Sequence, residues 1–66
     1  MKDSKLKRLR VDAGISQSQL SELSGVNLRT LQDYEQGQKS INGARAETVY
    51  RIAQALNCKV EDLLEL

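Results

Sequence analysis

Apolar residues recur every three or four positions along most of the chain, with polar residues between them. Leu6, Leu9 and Ala13 follow this spacing, and Leu20 and Leu23 repeat it further on. Such spacing places apolar side chains on one face of an α-helix. No alternating strand pattern continues for more than a few residues, so the pattern predicts a helical chain.

Residues that begin and end helices divide the first half of this pattern. Gly14 is expected to end the first helix, since glycine readily adopts the left-handed conformation at a helix end. Ser16 and Gln19 have the spacing of a capping box and predict the start of a second helix. Gly25 is expected to end that helix in a tight turn. Asn27 should then cap a third helix of about residues 28–36.

The second half predicts two more helices after a polar loop of about residues 36–43. Asn42 is expected to cap the fourth helix and Asn57 to end it. Glu61 and Asp62 lie favourably near the positive N-terminal end of a short fifth helix. The prediction is an all-α fold with five short helices around one core, in a single domain of residues 1–66. That core is expected to contain Leu6, Leu9, Leu20, Leu23, Val26, Leu31, Ile41, Val49, Ile52, Ala53, Leu56 and Leu63.

Composition restricts the classes of function. The chain contains no His and one Cys, so it cannot form a tetrahedral zinc site alone, and no histidine can activate a nucleophile. We therefore expect a protein that is not an enzyme and binds no cofactor, with Cys58 as a small, buried apolar side chain. No apolar run approaches the roughly 20 residues of a membrane span, and no signal-peptide pattern opens the chain. A cytoplasmic protein is expected.

Charge is nearly balanced overall but unevenly distributed. The net charge is +1, yet five of the ten basic residues lie in the first ten positions and three of the nine acidic residues lie in the last six. The basic segment is consistent with a solvated helix as well as with a DNA contact.

The segment of residues 17–36, QSQLSELSGVNLRTLQDYEQ, contains two short predicted helices around the turn at Gly25. Leu20, Val26, Leu31 and Tyr34 are expected to point inward, as a helix-turn-helix requires. This segment resembles the lambda-repressor-like, Cro-type helix-turn-helix family, and the resemblance extends over residues 4–65. YEQG at 34–37 and ETVYRIAQALNCKVEDLL at 47–64 are similar to the third-helix end and the last two helices of that family. Ser21, where the family usually has Ala, is a mild departure.

The resemblance implies a sequence-specific transcriptional regulator that binds double-stranded DNA. We expect a repressor that binds an operator as a weak homodimer, with the third helix in the major groove. The predicted base-contacting residues are Asn27, Leu28, Arg29, Gln32 and Asp33. Arg29 is suited to guanine O6 and N7. Alternatively, Arg29 and Asp33 form an ordinary surface ion pair four residues apart.

Three further sets of residues are predicted: phosphate contacts, an ion pair that joins two helices and a dimer surface. Contacts to phosphate are predicted for Gln17, Gln38, Lys39, Ser40, Asn42 and Arg45. The resemblance implies an ion pair between Arg10 and Glu35 that joins the first helix to the third. The homodimer surface is predicted at Leu56, Val60, Leu64 and Leu66.

Two alternative functions remain open from the sequence. One keeps the DNA contact and adds a protein partner, as in an antitoxin bound to its toxin or a regulator of a mobile element. The other is a protein-interaction module without DNA binding, which the low net charge and the presence of Leu28 and Asp33 on the outer face favour.

Overall fold

The computed structural model describes residues 4–65, which contain five α-helices, one 3₁₀ turn and no strand. The helices are α1 (Lys5–Asp12), α2 (Gln17–Ser24), α3 (Leu28–Gln36), α4 (Ala46–Leu56) and α5 (Val60–Leu63), with the 3₁₀ turn at Ile41–Gly43 between α3 and α4. The predicted all-α fold is confirmed. None of these helices is long and apolar enough to cross a membrane within residues 4–65.

A capping box starts α2, and glycines in the left-handed conformation end α2 and α3. The Ser16 hydroxyl accepts from the Gln19 backbone N–H at 3.1 Å, and the Gln19 amide oxygen accepts from the Ser16 N–H at 2.8 Å. Gly25 ends α2 with a φ of +73°, and Gly37 ends α3 with a φ of +80°. The capping box and the glycine end of α2 are therefore confirmed, and α3 ends at residue 36 as predicted.

The start of α4 differs from the prediction. Asn42 does not cap this helix but lies within the 3₁₀ turn, whose N-cap is Ser40. The helix begins three residues later, and Arg45 occupies its N-cap position without a side-chain cap bond. The predicted end of α4 is confirmed, because Asn57 adopts the left-handed conformation with a φ of +54°.

The core lies where α2 packs against α3 and α4, while α5 packs against α4 and α1. Leu20, Leu31 and Ile52 have no accessible surface. Burying such a side chain stabilises the fold by about 1.5–3 kcal/mol. The buried apolar residues are Leu6, Leu20, Val26, Leu31, Ile41, Val49, Ile52, Ala53 and Leu63.

One predicted core residue lies outside the core. Leu23 is 64% exposed, although it follows Leu20 at helical spacing. Leu20 and Ser24 face the neighbouring helices instead, and Leu23 projects from the edge of that face. Leu9 and Leu56 are half-buried against the core.

Candidate nucleic-acid interface

Two serines hold the turn between α2 and α3. The Ser21 hydroxyl donates to the Val26 carbonyl at 2.6 Å, and the Ser24 hydroxyl donates to the Leu20 carbonyl at 2.7 Å. Ser24 also accepts from the Val26 N–H at 3.2 Å. The residue that departs from the family pattern, Ser21, thus forms a bond across the turn that alanine cannot form. These bonds fix the direction in which α3 leaves the turn.

A partly buried ion pair joins α1 to α3. Arg10 Nε lies 2.8 Å from Glu35 Oε2, and Arg10 Nη2 lies 3.0 Å from Glu35 Oε1. The third donor, Nη1, binds the Ile15 carbonyl at 2.9 Å. The side chains of Arg10 and Glu35 are 13% and 3% exposed. The pKa of Arg10 is raised above its ordinary value because the hydrogen bond to Glu35 outweighs the effect of burial. The ion pair implied by the family resemblance is present.

The outer face of α3 presents a mixed set of side chains near its N-terminus. Asn27 is the exposed N-cap, and its side chain accepts from the Arg29 N–H at 2.8 Å. The Arg29 side chain is 82% exposed. Leu28 and Gln32 are half-buried, so Leu28 presents only part of its side chain. These residues share one end of α3, opposite buried Leu31.

Asp33 forms contacts with two of the predicted DNA-contacting cations. Its Oδ1 atom lies 3.3 Å from Arg29 Nε, and its Oδ2 atom lies 3.8 Å from Lys39 Nζ. The surface ion pair considered for Arg29 is therefore formed. This pair does not exclude base contact, because it occupies only the Nε group of the guanidinium.

The predicted phosphate-contacting residues lie on two segments that flank α3. Gln17 is half-buried in the first turn of α2, while Gln38, Lys39, Ser40 and Arg45 are exposed between α3 and α4. Asn42 is exposed but bonded. Its side chain donates to the Glu65 carbonyl at 2.9 Å and accepts from the Glu65 N–H at 2.8 Å. A phosphate contact by Asn42 would have to replace one of these bonds.

Arg51, a third arginine beside the predicted interface, was not among the residues selected from the sequence. Arg51 Nη1 lies 3.7 Å from the position of a Cβ atom added to Gly25. Together with Arg45 and Thr30, it lines a cleft of about 290 Å³ at the start of α3. The one feature of the sequence that concerns Arg51 is Glu47, four residues before it. This spacing predicts an ordinary surface ion pair, and the structure contains that pair.

The predicted dimer surface is only partly accessible in one chain. Leu56, Val60 and Leu64 are half-buried against the core, and Leu66 lies outside the described residues. The exposed large apolar side chains of the described chain are Val11, Leu23 and Tyr50. None of these three was among the predicted dimer residues.

Cys58 is half-buried beside the end of α4. Burial raises the pKa of its thiol, and the negative charge of Asp62 raises it further. Within residues 4–65, no group of three His, Cys, Asp or Glu side chains is arranged to hold a metal ion.

Comparison with known proteins agrees with this geometry. The helix-turn-helix family matches residues 6–63. The crystal structure of the restriction-modification controller protein C.AhdI from Aeromonas hydrophila superposes with a TM-score of 0.80 and 28% sequence identity. That similarity covers 91% of this chain and 86% of the controller protein. No curated protein sequence gives a significant match.

The family match at residues 6–63 spans α2, α3 and the last two helices, and it contains both Arg10 and Glu35. It thus covers nearly all of the described chain, and the similarity to the controller protein covers 91% of this chain. The chain belongs to the Cro-type helix-turn-helix family of DNA-binding transcriptional regulators.

Proposed function

We propose that this regulator is a repressor that binds an operator as a homodimer, with α3 in the major groove. The exposed Arg29 guanidinium at the start of α3 carries this proposal. An arginine in the first turn of a recognition helix is within reach of base edges. Its two terminal nitrogens match guanine O6 and N7. Asn27, Leu28, Gln32 and Asp33 complete the proposed base-contacting set.

Residues on both sides of α3 are proposed to bind the sugar–phosphate backbone. Gln17 lies at the N-terminus of α2, where free backbone N–H groups favour an anion. Lys39 contributes an exposed positive charge after the C-terminal end of α3, and Arg45 contributes one beside the cleft at the start of α3. Such contacts position the protein on DNA without selecting a sequence. Gln38, Ser40 and Asn42 are the polar members of this set.

The size of the domain supports a dimer. Its longest dimension is 25 Å, whereas half-sites of dimeric helix-turn-helix proteins lie about 34 Å apart. One domain therefore covers one half-site, and two domains are needed for both. We place the contact between subunits at Leu56, Val60, Leu64 and Leu66.

The assignment of Arg29 and Lys39 is tested by separating sequence preference from salt dependence. A bound site is first selected from a random DNA pool, and its single-base variants are prepared. Fluorescence anisotropy then measures the affinity of the wild type, Arg29→Ala and Lys39→Ala at several salt concentrations. Arg8→Ala is the control for base preference, because it removes an exposed arginine of α1 outside the proposed base-contacting set, and it should keep the wild-type ranking of base variants.

The two substitutions should have different effects. Arg29→Ala should cost about 1–3 kcal/mol on the selected site and relax preference at one base pair in each half-site. Lys39→Ala should weaken binding to all sequences alike and reduce the salt dependence by about one unit of slope. If Arg29→Ala keeps the wild-type ranking of base variants, Arg29 is only the surface partner of Asp33.

The controller protein favours a second, more specific hypothesis about the regulated genes. That protein is a restriction-modification controller. Its structure is similar to this one over 91% of this chain and 86% of its own. A promoter for a restriction or methylation enzyme beside the gene of this protein should then contain the selected site. A toxin gene in that position would instead favour the antitoxin hypothesis. Absence of DNA binding in a gel shift would favour the protein-interaction module.

Action on a chromosomal or phage operator would place the protein in the cytoplasm. This location is part of the same proposal. It is tested by following a fluorescently labelled chain, which should colocalise with the nucleoid. Labelled Arg29→Ala should become more evenly distributed if specific sites contribute to that localisation.

A further inference from the structure

A single carboxylate connects a proposed base-contacting residue with a proposed phosphate-contacting residue. Asp33 directs one oxygen to Arg29 Nε at 3.3 Å and the other to Lys39 Nζ at 3.8 Å. The Asp33 side chain is 15% exposed, whereas those of Arg29 and Lys39 are 82% and 59% exposed. The anion is therefore sheltered, while both cations remain open to a ligand.

The backbone positions Lys39 beside this carboxylate independently of its charge. The Asp33 carbonyl accepts from the N–H groups of Gln38 at 2.8 Å and of Lys39 at 3.2 Å. These bonds fold the chain after α3 back onto Asp33. Replacing the carboxylate by an amide would leave them in place, so the charge can be changed without removing the support of the loop.

Asp33 contacts Arg29 in a way that preserves its ability to recognise a base. The contact uses Nε, and no residue among 4–65 forms a hydrogen bond with its terminal nitrogens in the structure. Those nitrogens are the groups that bind guanine in pairs. The carboxylate thus restrains the arginine and still leaves its base-contacting groups available.

The same carboxylate should oppose binding to DNA of arbitrary sequence. Such binding depends almost entirely on attraction between cations and phosphates. Near Asp33, a phosphate must compete with the carboxylate for Lys39 and for a reoriented Arg29. On a matching site Arg29 can bind guanine while keeping its Nε contact, so the competition there is weaker.

We propose that Asp33 is a specificity-determining residue that suppresses binding to non-operator DNA by holding Arg29 and Lys39. This inference rests on the proposed function, since it requires a preferred site. Asp33 acts through the two cations and is a positioning residue in that sense. It needs no bond of its own to a base.

Asp33→Asn tests the role of the charge at nearly constant shape. We expect the affinity for random-sequence DNA to rise about three- to ten-fold, the size expected when two exposed ion pairs are released. The affinity for the selected site should change less, so the ratio of the two affinities should fall. The salt dependence of random-sequence binding should steepen by about one unit of slope. Asp33→Glu should keep the wild-type slope because it keeps the charge.

Glu61→Gln is the matched control for net charge. It also removes one negative charge, but from α5, which packs against α4 and α1. Its affinity ratio should stay at the wild-type value. Thermal unfolding followed by circular dichroism checks that each variant is folded under the binding conditions.

The possible results separate the two proposals. If the wild type discriminates between the DNAs and Asp33→Asn discriminates equally well, the role of Asp33 is overturned alone. An equal loss of discrimination in Glu61→Gln also overturns it, because net charge then accounts for the effect. Loss of selected-site affinity with no gain on random DNA would overturn this role and leave Asp33 only as a base-contacting residue of the proposed function. A wild type without sequence preference overturns both proposals.

Discussion

Replacing Arg10 by methionine removes the cation that joins α1 to α3 and keeps much of its apolar stem. Glu35 is then a carboxylate with 3% exposure and no counter-charge. Loss of one partner of a fully buried ion pair costs about 3–5 kcal/mol, and this partly buried pair should cost less because Glu35 gains some access to water. At roughly 0.05–0.15 kcal/mol per residue, a chain of 66 residues has a total stability of about 3–10 kcal/mol. Arg10→Met should therefore remove a large part of that stability and lower the urea midpoint.

A double-mutant cycle isolates the energy of the pair. Arg10→Met, Glu35→Gln and the double variant are unfolded with urea, and the free energies are compared. The double variant should be more stable than the sum of the single losses predicts, because it no longer contains an unpaired buried charge. We expect a coupling energy of about 1–3 kcal/mol, within the range found for residues in contact.

The pair between Arg51 and Glu47 is a control that separates the effect of distance on the coupling energy from the effect of burial. Its N–O distance of 2.6 Å is shorter than the 2.8 Å between Arg10 and Glu35. Its side chains are 52% and 70% exposed, however. An exposed pair at this helical spacing contributes only about 0.3–0.5 kcal/mol. Equal coupling in the two pairs, or none between Arg10 and Glu35, would refute the argument that burial determines the strength.

The remaining predictions concern the core, a helix end and one thiol. Leu31→Ala should destabilise the domain by about 2–5 kcal/mol because it leaves a cavity, whereas Leu23→Ala should stay within about 0.5 kcal/mol; equal shifts in urea midpoints would contradict this. Asn57→Ala should cost about 1 kcal/mol because alanine fits the left-handed conformation poorly, and Asn57→Gly should be nearly neutral in thermal unfolding. Burial raises the pKa of the Cys58 thiol, so the unfolded state loses this proton first, and stability should fall as pH rises above about 8.5. Urea midpoints at pH 7.5 and 9.5 should fall less in Cys58→Ala; an equal fall would remove the thiol as the cause.

Family resemblance and local sequence supplied different parts of the candidate site. The ends of α2 and α3 follow from bonds within a few residues, such as the one between Ser16 and Gln19. The Arg10–Glu35 pair spans 25 positions, and no spacing rule identifies it. It was expected only because the chain resembles a family in which α1 meets α3.

Tertiary structure decided the features that depend on segments distant in the chain. The exposure of Leu23 depends on how α3 and α4 cover α2. Asn42 forms its two bonds with Glu65, 23 residues away. The position of Arg51 beside Gly25 depends on how α4 packs against the turn.

The pattern of residues along the chain was enough to predict the helical class, the helix-turn-helix segment and the charged residues around it. These depend on periodicity and capping, which act over one or two helical turns. Only the folded chain showed that Asp33 is shared between Arg29 and Lys39. The spacing of Arg29 and Asp33 is local to α3, but the contact with Lys39 requires the chain to turn back after Gly37. The physical reason is that a side chain's partners across a loop are set by the path of the backbone, which periodicity does not encode.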